Sequence, residues 1–329
     1  MPPKKQHITY ARKINEFIEA GDNFILSGHM NADGDAIASA IAMRLLIEKL
    51  GKKATLVFHD RKFDQRFNYL KDFDQIISCQ DKDKIGQLTI ENAIILDVPG
   101  YGRLGDVSDY LPSKENVIKI DHHPIEDIMG IIDWVDMDAS STTVLVYEVI
   151  ECAGISIDSE LATAVFTGIV YDTGRFSFSN TTERDFEVCA KMVSAGAMPS
   201  EIANSIFFEN SFNALKTIGK GLYSLENYLD GFVNVIYLGY EEMQNNDQSE
   251  IEELANYSVA IRGGKVGLFI REIKPNFHKI SFRSHSNIDV NVVAKAFDGG
   301  GHSRAAGCRI EGNKAEIVDK IINEIKKQL

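Results

Sequence analysis

The sequence predicts an α/β fold in two parts, a parallel-sheet unit followed by a smaller α/β unit. Strand-like and helix-like runs alternate through the first half, the pattern of parallel strands joined by crossover helices. The strand runs are short, continuous and apolar, as strands buried on both faces should be. The length, 329 residues, exceeds what one ordinary core fills, since domains usually run about 100–200 residues.

In chain order, "NFILS" (23–27) is the first strand and leads into a helical pattern at 36–50, closed by Gly51 where a helix C-cap is expected. Strands follow at "ATLVF" (54–58), "QIIS" (75–78), "NAIILDV" (92–98) and "NVIKI" (116–120). Helical patterns return at 141–153 and 159–171, and Thr182 with Asp185 offers a capping-box-like start for another. From about 183 to 228 the pattern is almost all helical, broken by "GAMPS" at 196–200. Strands resume at 232–238, 266–273 and 279–284, with helices around 249–260, 289–297 and 314–328. The expected domain limits are 1–195, a helical linker over 196–220, and 221–329.

Composition excludes several classes. A chain 44% hydrophobic and 25% charged suits a soluble globular protein rather than a disordered one. The longest apolar runs fall far short of the roughly 18 residues of a membrane span, and "MPPKKQ" leads into no signal-peptide core, so a cytoplasmic protein with no membrane partner is expected. Four widely spaced cysteines indicate neither a disulfide framework nor a zinc ribbon. The net charge of −13 argues against gripping long nucleic acid by neutralising many phosphates, so any nucleic-acid substrate should be short. The acid excess is either a solvated surface or carboxylates gathered where metal ions cancel them.

Position bears on that choice. "NFILS" runs into "GHMNADGDA", with His29, Asp33 and Asp35; "NAIIL" ends in Asp97; "NVIKI" ends in Asp121, His122 and His123. Acids and imidazoles thus sit at strand carboxyl ends, the edge where open α/β sheets bind ligands. Asp172 joins them where a helical pattern stops at "DTGRF". Alone, each acid could be a helix cap and each histidine an ordinary core or surface group. Together, Asp33, Asp35, Asp97 and Asp172 would place four negative charges in one crevice, which two divalent ions cancel and one does not. His29 and His122 add nitrogen ligands, and such a thiolate-free set favours Mn²⁺, with Mg²⁺ or Co²⁺ allowed. A pair of such ions suits hydrolysis at phosphorus.

The stretches "HMNADGDAIAS" (29–39), "ILDVPG", "DHHP", "DTGRF" (172–176) and "GGGHSRAAG" (299–307) together resemble the successive motifs of the DHH phosphoesterase superfamily with its associated C-terminal domain. The nearest subgroup is the bacterial oligoribonuclease (nanoRNase) and pAp phosphatase type. The resemblance implies a Rossmann-like DHH domain, a C-terminal substrate-binding domain and an active site in the cleft between them. It implies one metal held by His29, Asp33 and Asp97, and another by Asp35, Asp97, His122 and Asp172. His123 would face the scissile phosphate, and Asp121 would fix ligand geometry. Arg283 in "SFRS" and Gly299, Gly300, Gly301 and His302 are implied to hold the far end of the substrate. Their chemistry suits this, since consecutive glycines let backbone N–H groups reach a phosphate and arginine grips one with two hydrogen bonds.

Ser141 or Thr142, at the start of a helical pattern, offers a further phosphate seat or a routine helix cap, and Arg103 is a weaker candidate. Ala32 and Ala38 depart from the family's usual Pro and Gly, neither at a ligand position. The implied activity is two-metal hydrolysis of short RNA, dinucleotides to roughly pentanucleotides, and of pAp, giving mononucleotides. Cleavage of the cyclic dinucleotide c-di-AMP and of pApA is the alternative within the superfamily. A non-catalytic nucleotide-sensing module is the alternative outside it, and a homodimer is compatible with each.

Overall fold

In the computed structural model, helix α1 (Lys5–Ala20) precedes β1 (Phe24–Ser27), α2 (Gly34–Lys49), β2 (Ala54–Phe58), β3 (Ile77–Ser78) and the short α3 (Lys82–Ile85). Then come β4 (Asn92–Leu96), α4 (Tyr101–Leu104), β5 (Val117–Asp121) and β6 (Ile132–Val135). Helices α5 (Thr142–Ala153), α6 (Ser159–Asp172), α7 (Glu183–Ser194) and α8 (Pro199–Ala203) follow, with a π-helical turn at Asn204–Phe208. The structure describes residues 5–244, 250–285 and 287–329, and the chain divides into two units that part between Glu209 and Asn210.

The first unit's sheet has the order β3-β2-β1-β4-β5-β6 with every pairing parallel. The order reverses between β1 and β4, and such a switch point opens a crevice at the strands' carboxyl ends. One sheet face, with Leu26, Ile94, Ile118 and Ile120, belongs to a core shared with α1, α2, α5 and α6. The other, with Ile25, Val57, Ala93 and Ile95, lies under an apolar layer that includes Leu104, Val107 and Met129. Burial on both faces is why these strands are mostly apolar runs, with Lys119 a charged exception at the centre of β5.

Two elements of this unit carry no such run. Strand β6 is "IDWV", partly exposed and interrupted by Asp133, and it was not expected; nor was α1. Helix α2 begins at Gly34, ahead of the expected start, because Asp33 Oδ1 accepts the amides of Asp35 (3.0 Å) and Ala36 (3.2 Å). Gly51, at φ +75°, follows the helix's last turn as a left-handed terminator. At α7 the Asp185 carboxylate accepts the Thr182 amide at 2.6 Å, the bond expected of a capping box.

The second unit comprises α9 (Phe212–Tyr223), β7 (Glu226–Tyr228), β8 (Val233–Leu238), α10 (Tyr240–Met243), α11 (Leu254–Val259), β9 (Val266–Lys274) and β10 (Phe277–Ser284). It ends with α12 (Val290–Lys295), β11 (Gly300–Gly301), β12 (Ala305–Glu311) and α13 (Lys314–Lys326). Its sheet runs β11-β12-β10-β9-β8-β7, antiparallel except for β8 with β9. Leu268, Ile270, Ile280 and Phe282 pack with α12 and α13, and Ile236, Leu238 and Phe269 with α9 and α11. Strands β7, β11 and β12 escaped the sequence pattern, the last two because glycine and alanine dominate them. Residue 249, at the start of one expected helix, lies outside the described residues. Among the described residues no helix is long and apolar enough to cross a membrane.

The loop before β6 packs against the backbone of β5: a Cβ on Gly130 would lie 2.2 Å from the Val117 carbonyl oxygen. Gly130→Ala should therefore destabilise the first unit by about 1–3 kcal/mol, lowering its melting temperature by roughly 2–12 °C. An unchanged melting curve would mean that this loop gives way freely.

Candidate metal centre

Strands β1, β4 and β5 are neighbours, so the residues that follow them meet at one end of the sheet. His29, just past β1, sets Nδ1 3.0 Å from the Met30 carbonyl oxygen, while Nε2 lies 3.5 Å from Asp97 Oδ2 and 3.7 Å from Asp33 Oδ1. His122, just past β5, repeats the pattern: Nδ1 is 3.2 Å from the Ala139 carbonyl oxygen, and Nε2 is 3.5 Å from both Asp97 Oδ1 and Asp172 Oδ2. A carbonyl on Nδ1 holds the proton there and leaves Nε2 as a lone-pair donor, the usual arrangement of a metal-ligating histidine. Asp97 stands between the two imidazoles at φ +61°, a left-handed conformation that aspartate tolerates better than most residues.

Asp35 is almost fully buried against the start of α5. Its Oδ2 accepts the Thr142 amide at 2.6 Å, and its Oδ1 accepts the Thr143 amide at 3.0 Å and the Thr143 hydroxyl at 2.5 Å. The Thr142 hydroxyl donates to Asp97 Oδ1 at 3.0 Å. A helix N-terminus, with its unsatisfied amides and positive dipole end, is a favourable seat for a carboxylate. Ser141 is buried and caps the same helix, its Oγ accepting the Val144 amide at 3.1 Å. The helix start that offered a phosphate seat or a cap is thus occupied by its own cap and by two acids of the cluster. Asp121, fully buried, accepts through Oδ1 the amides of His122 (2.8 Å) and His123 (3.1 Å) and the His123 Nδ1–H (2.8 Å).

Donor atoms of His29, Asp33 and Asp97 lie within 4.8 Å of one another, as do those of Asp35, His122 and Asp172, and those of Asp97, Asp121 and His123. Burial pushes the Asp35 and Asp172 carboxyls up, and repulsion from Asp97 adds to it in both; Asp172 rises to about 7. Burial also opposes protonation of His29 and His122, but the surrounding carboxylates outweigh it and raise both to about 9. In Asp33 and Asp121 burial is likewise overcome, by His29 and His123 respectively, and both carboxyls are lowered. Acids crowded until some retain protons, beside protonated imidazoles whose Nδ1 is already committed to a carbonyl, fit a divalent cation: its charge would replace those protons. No thiol belongs to these donor groups, which suits a hard or borderline ion such as Mn²⁺ or Mg²⁺.

The remaining expected residues lie in the second unit. Arg283 on β10 donates through Nε to Asn256 Oδ1 at 2.9 Å and through Nη1 to its neighbour's carbonyl, that of Phe282, at 3.0 Å. Gly300 and Gly301 form β11 against Gly307 and Ala306, and His302 donates its amide to the Ala305 carbonyl at 2.7 Å. Gly299 has no room for a side chain, since a Cβ would lie 2.2 Å from the Gly307 carbonyl oxygen. The triple glycine is thus a sheet edge, closed at Gly299 and exposed at Gly300 and Gly301.

Two groups around the cluster escaped notice in the sequence. Thr143 holds Asp35, and Asn180 Nδ2 donates to the Asp172 carbonyl at 3.0 Å and the Ser140 carbonyl at 2.9 Å. Thr143 sits where any helix start has a Ser or Thr, and Asn180 reads as a loop residue.

The family model described as "DHH family, N-terminal domain" matches residues 23–169, and that of the "DHHA1 domain" matches residues 233–329. Bifunctional oligoribonuclease and PAP phosphatase NrnA of Thermus thermophilus is 26% identical over 99% of this chain and 97% of its own. The protein of the same name from Bacillus subtilis is 28% identical over 88% of this chain and 90% of its own. Among solved structures, an exopolyphosphatase-related protein from Bacteroides fragilis superposes with a TM-score of 0.89 at 23% identity, covering 97% of this chain and 96% of that one. The last likeness speaks to the fold alone.

Two outcomes follow from the geometry. Gly168 of α6 faces Thr143, and a Cβ there would lie 2.0 Å from Thr143 Oγ1 and 3.0 Å from Asp35 Oδ1. Gly168→Ala, favourable on helix propensity by about 1 kcal/mol, should instead displace Asp35's support and weaken Mn²⁺ binding about 10–100-fold by titration calorimetry. Because His29 and His122 stay protonated up to about 9 in the metal-free protein, cation binding must expel protons. Affinity should climb from about pH 6 to about pH 9, and the binding enthalpy should depend on the buffer's ionisation enthalpy. The same sign holds for the metal-free fold. Stability conferred by these histidines is complete below their ordinary 6.5 and fades as pH rises through about 9.

Proposed function

The chain belongs to the DHH family, with a DHH domain followed by a DHHA1 domain, and from that premise we propose that it is a cytoplasmic, metal-dependent phosphohydrolase of short RNA and pAp. It cleaves dinucleotides to roughly pentanucleotides, and pAp, to mononucleotides. The observation that carries this reading is the meeting of His29, Asp33, Asp35, Asp97, His122 and Asp172 at the switch point of a parallel sheet. The activities named for the relatives, oligoribonuclease and PAP phosphatase, support it, as does a net charge of −13, which disfavours long nucleic acid.

His29, Asp33 and Asp97 would hold one cation and Asp35, Asp97, His122 and Asp172 the other, with Mn²⁺ the preferred ion. When bound, divalent cations supply Lewis-acid activation of water and charge neutralisation at phosphorus. The chain's own residues do the rest. Asp121 keeps the proton of His123 on Nδ1 and aligns the ring; His123 then serves the phosphoryl group undergoing attack. Arg283 and the Gly299–Gly301 edge with His302 bind the substrate away from the scissile bond, and this second grip limits substrate length. The Thr142 and Thr143 hydroxyls and amides hold Asp97 and Asp35 against recoil when charge changes at phosphorus.

A hydrolysis panel with Mn²⁺ tests this: RNA of graded length, pAp, c-di-AMP, linear pApA, single-stranded DNA and pyrophosphate. The shortest RNAs and pAp should turn over fastest, and Asp97→Ala should lose at least about 100-fold in kcat, more than a residue that only supports a ligand would cost. Preference for c-di-AMP would move the protein to cyclic-dinucleotide turnover. No turnover of any member despite bound metal would leave a nucleotide-sensing module.

A further inference from the structure

Lys119 is fully buried at the centre of β5, between Ile95 of β4 and Asp133 of β6. Strand alternation turns it away from Ile118 and Ile120, toward the apolar layer that includes Val117, Ile95 and Met129. A valine or isoleucine would be the ordinary occupant, and an unpaired ammonium there would be strongly disfavoured. Its Nζ donates to the Asp127 carbonyl at 2.7 Å and the Pro99 carbonyl at 3.2 Å, and lies 3.4 Å from Asp133 Oδ2.

These partners belong to two different segments, each adjoining the metal cluster. Pro99 lies two residues beyond Asp97, and its carbonyl also accepts the amides of Glu126 and Asp127, each at 3.1 Å. Asp127 Oδ2 accepts the Tyr101 amide at 2.9 Å, and Asp133 accepts the amides of Met129 (2.8 Å) and Gly130 (2.7 Å). One ammonium therefore ties the chain leaving β4 to the chain leaving His123. Asp97 needs such a tie. A non-glycine residue at φ +61° is strained, and strain of that kind persists only where the surroundings over-determine the backbone. The Asp97 amide is anchored to the Ile120 carbonyl at 3.0 Å on one side, and the Pro99 carbonyl is the anchor on the other.

We propose that Lys119 is a positioning residue for the metal centre: by holding Pro99 and Asp127 together it keeps Asp97 in its left-handed conformation, with one carboxylate oxygen toward His29 and the other toward His122. A simple ion pair would not explain the arrangement, because a buried pair of that kind is often replaceable by apolar residues without loss. For its activity readout the inference rests on the function proposed above; for its metal readout it does not.

The experiment compares wild type with Lys119→Met/Asp133→Asn, which removes the ammonium and the carboxylate charge together. The metal-free double variant should melt within a few degrees of wild type. Its Mn²⁺ affinity by titration calorimetry should fall about 10–100-fold, and kcat on a dinucleotide should fall while KM changes little. Wild-type Mn²⁺ affinity and kcat in the folded double variant would overturn the proposal and leave Lys119 a role in folding alone. Asp133→Asn by itself keeps both carbonyl bonds and decides the matter should the double variant not fold. Near-wild-type Mn²⁺ affinity supports the proposal, and a loss of tenfold or more overturns it in favour of the ion pair. If wild type binds Mn²⁺ but cleaves nothing on the panel, the functional reading fails while the Mn²⁺ comparison still judges Lys119.

Discussion

Asp33, Asp35, Asp97 and Asp172 come together where the sheet order reverses, two of them buried and two partly exposed, and repulsion among these carboxylates is the constraint that the first unit is built around. Left alone, such a cluster would push apart or take up protons. The structure resists the first by fixing the chain or the side chain at each acid. Asp33 is held by the opening amides of α2, Asp35 by those of α5, and Asp97 by a left-handed turn pinned on both sides; Asp172 is the last residue of α6. It accommodates the second by sharing out the protons, so that Asp35 and Asp172 are raised while Asp33 is lowered.

That division has a chemical consequence. A site that carries protons on its acids and imidazoles is close to neutral before a cation arrives, so burial is bearable, and the protons leave when a cation replaces them. The two imidazoles are prepared for the exchange. Each commits Nδ1 to a carbonyl and turns Nε2 to the cluster, so neither needs to choose a tautomer at the moment of binding. His123 differs, since its Nδ1 goes to the buried Asp121 carboxylate, a stronger and more polarising partner than a carbonyl. Two adjacent histidines thus receive different orientations from one strand end.

Lys119 belongs to the same account. The acids need a rigid frame on the sheet face opposite α1, α2, α5 and α6, where apolar side chains provide no directional bonds. As proposed above, one ammonium with carbonyls from two segments adds such bonds to the amide bonds that Pro99 already accepts.

Much of this was legible beforehand because its signals are local. Short, mostly apolar runs marked β1, β2, β4 and β5, the acids and histidines after β1, β4 and β5 marked the sheet edge, and Gly51 and Thr182 marked helix limits. Strand β6 and the glycine-rich β11 and β12 were not legible, since a strand without an apolar run exists only through its neighbour's hydrogen bonds. The order β3-β2-β1-β4-β5-β6, the pairing of Asp35 with Thr143, and the reach of Lys119 from β5 to Pro99 and Asp127 likewise needed the tertiary structure. By itself the sequence determined which residue types stand at the strand ends, because identity and period are properties of a single chain segment. Which oxygen faces which imidazole was decided only by folding, because hydrogen bonds between residues a hundred positions apart depend on packing that no local pattern encodes.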